Sequence, residues 1–344
     1  MYLKTLACME SPLVSVIIPA YNVEKYIGQL IEDLQSQTFK NWEAIIIDDC
    51  STDRTTEIVR RYAKDDHRIT LQCRPTNSGG AFIPRLEAAE KATTEFLVAI
   101  DADDRINETY LEALYAKAKA SDADIVFSMN YTEREVSNDP MFDSTLINSD
   151  TVYKGKQLVK YTQYDWKFGA NGALYRKQLY LTTLEEAQKA ESTHNIGKLS
   201  RPLTNNPFFD EIVTRILLIE AARVTFATEA KYFYRHNEES VVTRSLYLKL
   251  DTNTIRQILV KEYFNEDSEE YGLLQKETFF FMIDLMKTTY DRQTKALLKK
   301  TYERGLWKAA KPYVSTKYYL LLSSGFRPAQ IILRILGLLT KVTG

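Results

Sequence analysis

The sequence predicts an α/β fold, with a mostly parallel sheet covered by helices on both faces and a helical region appended at the C-terminus. Two patterns carry this reading. Short strands that are apolar throughout alternate with helical periodicity along the first 125 residues, as happens when a parallel sheet is buried on both faces. Beyond Ser245 no strand candidate recurs, and Leu, Lys and Tyr follow helical spacing. A chain of 344 residues also exceeds the size at which one core usually suffices. We therefore expect an organisation into residues 1–125, 126–244 and 245–344.

Each element has its own signal. Val14 to Ile18 is a β-branched apolar run stopped by Pro19, after which Tyr26, Ile27, Leu30, Ile31 and Leu34 recur at helical spacing. Ala44 to Ile47 repeats the strand, Asp48 to Asp53 the polar turn and Thr55 to Tyr62 the helix. Ile69 to Cys73 is a third strand. After the Gly79-Gly80 break come a helix from Ile83 to Lys91, a strand from Phe96 to Ile100, an acidic turn, and a helix from Asn107 to Ala120. From Ile125 to about Arg244 the pattern is mixed. It holds strand-like pieces at Ile125 to Met129 and Ala230 to Tyr234, a polar stretch from Thr132 to Asp150, and a helix from Glu211 to Ala222.

Composition excludes several functions. The 45 basic and 46 acidic side chains lack the cationic excess that a sequence-independent nucleic-acid binder needs. Cys8, Cys50 and Cys73 are odd in number and form no C-x-x-C pair, so neither a disulfide framework nor a thiolate zinc site is expected. His67, His194 and His236 are too scattered for a local metal motif, which leaves oxygen ligands and a hard cation. No run of 18 apolar residues or signal-peptide core occurs, and a cytoplasmic location is expected.

Ligands of parallel sheets bind beyond the carboxyl ends of the strands. Three of the four early strand ends carry distinctive chemistry, namely Pro19-Ala20-Tyr21-Asn22, Asp48-Asp49 and Asp101-Ala102-Asp103-Asp104. Carboxylates crowded into one turn repel one another unless a cation or hydrogen-bond donors neutralise them. Mg²⁺ or Mn²⁺ completed by phosphate oxygens suits such a place. The other reading of Asp101 to Asp104 is a helix cap.

Val16-Ile17-Ile18-Pro19-Ala20-Tyr21-Asn22, Ile47-Asp48-Asp49 through Thr55, Asn77-Ser78-Gly79-Gly80 and Ile100-Asp101-Ala102-Asp103-Asp104 together resemble the family 2 glycosyltransferases of GT-A fold. The motifs cover about the first 110 residues in the family's order. The resemblance implies inverting transfer of a sugar, usually from a UDP-sugar, to an acceptor hydroxyl. It makes residues 1–125 the nucleotide-sugar half, 126–244 the acceptor half and 245–344 an appendage. It places Pro19, Ala20, Tyr21, Asn22 and Glu24 at the base and ribose pocket, with Asp49 accepting the uracil N–H. Asn77, Gly79 and Gly80 line the same pocket, and Arg85 takes the family's arginine position between Pro84 and Leu86, which replace the usual Ala and Asn. Asp101 and Ala102 then face the ribose. Asp103, with Asp104 in reach, faces Mn²⁺ or Mg²⁺ and the diphosphate.

The family also places a general base in the second half, where Asp210 fits and Glu211 remains the alternative. Asp210 can equally be the cap of a helix starting at Glu211. The segment Tyr232 to Ser240 resembles the family's diphosphate-closing stretch and makes His236 a metal or phosphate contact, or else a surface histidine. Trp166, Asn171, Gly172 and Tyr175 fall in the segment that borders a glycan, lipid-linked or protein-linked acceptor. Two other readings stand beside this one, a nucleotide-sugar-binding subunit without catalysis and a nucleotidyltransferase. The second would need a Gly-rich, Arg-containing loop where this chain has Pro19-Ala20-Tyr21-Asn22.

Arg327, Arg334 and Lys341 recur every seven residues among Ile and Leu. On a helix over 327–341 they form a basic stripe beside a wide apolar face. That face suits a membrane surface, with the enzyme peripheral at the inner leaflet, or else packing on the core or on a second subunit of a homo-oligomer.

Overall fold

The computed structural model describes residues 11–133, 138–140, 148–162, 172–193, 209–235, 263–287, 292–303 and 305–333. The sheet begins with β1 (Val14–Ala20), whose residues are all buried. Pro19 lies inside this strand rather than ending it. The carbonyl of Ile17, on the same strand edge two residues earlier, accepts from Ile100 N. β4 (Phe96–Ala99) pairs with β1 only up to Ile17, so the missing N–H of Pro19 costs no ladder bond. On the other edge β1 pairs in parallel with β2 (Trp42–Asp48), which pairs in parallel with β3 (Ile69–Cys73).

The helices follow the apolar spacing. Helix α1 (Ile27–Ser36) buries Ile27, Leu30, Ile31 and Leu34 on one side. Helix α2 (Thr55–Asp65) packs Val59 against the same core, and α3 (Phe82–Lys91) buries Phe82, Ala88 and Ala89. After β5 (Arg105–Ile106) comes α4 (Tyr110–Ser121), with Tyr110, Leu111, Leu114 and Ala118 inward.

The second half of the sheet is mixed. β6 (Ile125–Glu133) carries the short antiparallel β7 (Asn138–Pro140) and pairs with the antiparallel β8 (Leu174–Arg176). Helices α5 (Gly155–Leu158) and α6 (Lys177–Thr193) flank β8 in sequence. After α7 (Phe209–Glu220), β9 (Val224–Arg235) runs parallel to β6, with a register shift between Ser128 and Met129. The sheet order is β3-β2-β1-β4-β8-β6-β9-β5. This is the mixed α/β core of a GT-A-like fold.

Two compact units interleave along the chain. One comprises residues 1–157, 167–186 and 220–237 and holds the sheet. The other comprises residues 158–166, 187–219 and 238–344. It includes α8 (Glu269–Lys287), α9 (Arg292–Glu303), a 3₁₀ segment at Leu306–Tyr313 and α10 (Thr316–Ser323). Phe279, Met282, Met286, Trp307, Leu322, Phe326 and Leu333 form its core. Within it, the Arg215 guanidinium is fully buried and donates to both carboxylate oxygens of Glu277 and to the carbonyl of Thr162. No helix among the described residues is long and apolar enough to cross a membrane.

Candidate active site

The carboxyl ends of β1 and β2 are tied together by hydrogen bonds. Asn22 N donates to Ser51 Oγ at 2.9 Å, and Thr52 N donates back to Asn22 Oδ1 at 2.8 Å. Val23 N reaches Thr55 Oγ1 and Glu24 N reaches Asp53 Oδ2. Arg54 N donates to Glu24 Oε2 at 3.0 Å, which lowers the Glu24 pKa. Asn22 holds φ at 53° and Cys50 at 66°, left-handed turns that let the two loops interlock. Tyr21 is left outside this lattice and exposes its ring.

Asp49 is buried beside that junction. Its carboxylate accepts from Ser78 N at 3.0 Å, from Ser78 Oγ at 2.8 Å and from the Arg74 guanidinium. Asn77 Nδ2 donates to Asp49 O, and its Oδ1 accepts from Gly79 N at 2.7 Å. Gly79 has φ of 85°, where a side chain would be strained. Arg74 also donates to Glu87 at 2.9 Å, so one guanidinium spans two carboxylates. Sequence reasoning missed Arg74. The only signal for it is an arginine one residue beyond the third strand, in register with the Asp48 end of β2.

At the end of β4, Arg85 is 3% exposed and its Nη2 lies 2.5 Å from Asp101 Oδ1. It is therefore an internal ion-pair partner rather than a solvated helix residue. The turn Asp101 to Asp104 is closed by Asp104 N donating to Asp101 O. Asp104 is buried, and its oxygens accept from Tyr232 Oη at 2.5 Å and from Arg235 N at 2.9 Å. Burial first, and then the charges of Asp101 and Asp103, push its pKa well above the usual carboxylate range. The tiny strand β5, which the sequence does not announce, pairs with Tyr232 and Phe233 and brings β9 to this turn.

Gly172 stands on the other side of Tyr232. Its N–H donates to Ala99 O at 2.8 Å, and its carbonyl accepts from Tyr110 Oη. A Cβ built on Gly172 would meet Tyr232 Cδ2 at 2.4 Å, and its φ is 78°. Tyr175 differs from the sequence expectation. It is fully buried with its ring against Tyr180, 5.0 Å between centroids, so it fills core space and presents no face to an acceptor. Trp166, Asn171 and His236 lie outside the described residues.

Asp210 sits in the first turn of α7, because the buried Phe209 already begins the helix. The cap reading of Asp210 is thereby corrected, since it lies inside the helix instead of preceding it. Glu211 follows in the same turn. Both belong to the second compact unit.

The donor set at the β4 end is all oxygen, and the buried carboxyl there is raised by burial and then by the charges of Asp101 and Asp103, a repulsion that a divalent cation would relieve. Among the described residues no group of three His, Cys, Asp or Glu converges to hold a metal by itself. Such a cation would take only one or two oxygens from the protein and the rest from phosphate or water, as Mg²⁺ commonly does.

Known proteins match this arrangement. The family model for glycosyl transferase family 2 matches residues 15–180. Glycosyltransferase GlyG of Streptococcus pneumoniae is 27% identical over 235 residues, covering 67% of this chain and 73% of GlyG. TarS of Staphylococcus aureus, a poly(ribitol-phosphate) beta-N-acetylglucosaminyltransferase, is 28% identical over 265 residues. That match covers 74% of this chain and 41% of TarS. The crystal structure of TarS 1-349 in complex with UDP-GlcNAc superposes with a TM-score of 0.67 at 20% identity, over 94% of this chain and 89% of that one. A mannosyltransferase from Pyrobaculum calidifontis, solved with GDP-Man and Mn²⁺, gives a TM-score of 0.50 at 15% identity, over 95% and 86% of the two chains. These two structures speak for the fold alone. With the strand-end motifs lying inside the matched residues, residues 15–180 are a glycosyltransferase family 2 domain, and the chain that carries it is an enzyme.

Proposed function

We propose that this enzyme transfers a hexosyl or N-acetylhexosaminyl group from a UDP-sugar, with inversion, to a hydroxyl of a surface-polysaccharide or glycoconjugate acceptor. The observation that carries the reading is the placement of two anchored carboxylates at the carboxyl ends of the strands that flank β1, Asp49 after β2 held by Ser78 and Arg74, and Asp101 after β4 held by Arg85 of α3. Such pre-set polar groups orient a nucleotide without reorganisation on binding. The exposed Tyr21 ring offers a face for uracil, and Asp49 an acceptor for its N–H. Asp101 faces the ribose, oriented by Arg85.

Asp103 would hold Mn²⁺ or Mg²⁺, with Asp104 behind it. When bound, the cation supplies Lewis-acid stabilisation of the departing diphosphate. His236 is a further contact in this reading. Asp210, or Glu211 beside it, takes the proton of the acceptor hydroxyl as that oxygen attacks the anomeric carbon and UDP leaves with the bonding pair. Gly172, with Trp166 and Asn171, borders the acceptor. UDP-GlcNAc is the first donor to try, because TarS 1-349 is solved with it, and poly(ribitol-phosphate) belongs in the acceptor panel for the same reason.

The test is UDP release from a panel of UDP-sugars with Mn²⁺ and acceptors. Donor-specific release is expected, with Asp210→Asn blocking transfer while UDP binding stays nearly unchanged. Retained UDP binding without turnover on any donor would convert the enzyme reading into one of a binding subunit.

A further inference from the structure

Charge is segregated along this chain. From Arg304 to Gly344 there are seven basic residues and no Asp or Glu, which leaves 38 basic against 46 acidic residues in the preceding 303. The structure shows what accompanies those charges. In residues 326–333, which are helical, Phe326, Ala329, Gln330 and Leu333 are buried in the core of the second unit. The outward side of that helix therefore carries Arg327, Ile331 and Ile332, with Ile331 59% exposed. In α10, Leu322 is buried while Lys317, Tyr318 and Leu320 face out, Leu320 at 61%. Lys308, Lys311 and Tyr313 of the preceding 3₁₀ segment are exposed as well.

Tyr313 turns to the acidic start of α8, its hydroxyl on the Glu266 carbonyl. The exposed aliphatic side chains beyond it stand beside Lys317 and Arg327 in a stretch of sequence without Asp or Glu, and they match the surface that enters a lipid interface. The branched side chains leave water for the acyl boundary, and the cations meet the negative surface potential of anionic lipid. A symmetric contact between two copies of this patch would instead set like charges face to face without a counter-ion. We propose that the exposed side of residues 308–333 is a docking surface for an anionic lipid bilayer.

Full-length protein is sedimented with vesicles of phosphatidylglycerol and phosphatidylcholine in equal parts, and with vesicles of phosphatidylcholine alone. The expected result is binding to the anionic vesicles that falls at least tenfold in 0.5 M salt, where the Debye length shrinks to roughly 4 Å, and little binding to the neutral ones. I331D/I332D should lose binding through the apolar side and K317E/R327E through the charge, both with unchanged circular dichroism and UDP release in solution. Binding that ignores lipid charge and both double variants would overturn the proposal. Absence of vesicle binding would overturn it too, and a concentration-dependent oligomer dissociated by I331D/I332D would assign the surface to a second copy of this chain.

Discussion

The hydroxyl of Tyr232 donates to Asp104 Oδ2 at 2.5 Å across 128 residues of sequence. The same hydroxyl accepts from Asp101 N at 3.3 Å, so one buried phenol holds two positions of the acidic turn. Burial and the neighbouring Asp104 and Asp101 charges raise the Tyr232 pKa, which keeps the phenol protonated as a donor. The turn at the end of β4 is thus fixed from β9, a strand of the other half of the sheet.

Tyr232→Phe removes this one atom and leaves the ring in place. Leaving buried polar partners unsatisfied costs about 1–3 kcal/mol, read as a lowered midpoint in urea unfolding. If the phenol positions the turn, calorimetry will also show Mn²⁺-dependent UDP binding weakened beyond the metal-free binding. Equal weakening with and without Mn²⁺ would reduce Tyr232 to a structural role.

Gly172→Ala tests the neighbouring contact. The new methyl would strike Tyr232 and the Tyr110 hydroxyl at a φ of 78°, and overpacking together with the unfavourable backbone should cost about 2–4 kcal/mol. Thermal unfolding reads this directly. A variant as stable as the wild type would mean that the loop moves freely away from Tyr232.

Arg215 and Glu277 form a buried pair inside the second unit, with side chains 0% and 4% exposed. Arg215→Met alone should destabilise by about 3–5 kcal/mol, because it strands a buried carboxylate. Arg215→Met combined with Glu277→Leu should recover most of that loss, since an apolar pair of similar volume is often neutral. Chemical denaturation of the two variants separates the outcomes. A double variant no better than the single one would place the cost in lost hydrogen bonds to Thr162.

Asp66 gives a pH-dependent contribution. Hydrogen bonds from Arg68 hold its pKa down at about 2 from 3.8. A carboxyl depressed in the folded state stabilises above its unfolded pKa, and that contribution fades as pH falls from about 4 through 2. Asp66→Asn should therefore be less stable than wild type by about 2 kcal/mol at pH 7. The gap should narrow below pH 4 in unfolding curves taken down to pH 2.

Much of the first half was legible because β1, β2 and β4 are built on buried apolar runs, while β3, Ile69–Cys73, alternates apolar and polar residues at the sheet edge and still matches its predicted limits. Strand β1 extends past Pro19 because its partner on that edge has already ended, a fact of register that composition does not carry. The strands β5 and β8, of two and three residues, have too few positions to show a period and exist through distant partners. The acidic turns were legible as chemistry. Their partners Arg74 and Tyr232 were not, since nothing local marks an arginine or tyrosine that reaches across the sheet. Helix α7 starts two residues before its expected limit, since Phe209 is recruited by the core.

The most direct measurement is calorimetric titration of UDP into the wild-type chain and into Asp103→Asn, each with and without Mn²⁺. The strand-end site requires UDP binding that Mn²⁺ strengthens in the wild type, and a loss of about tenfold or more, roughly 1.4 kcal/mol, confined to the Mn²⁺ arm in the variant. No UDP binding by the wild type, or Mn²⁺-strengthened binding untouched by Asp103→Asn, would contradict the assignment of the β4 turn to a metal-diphosphate site.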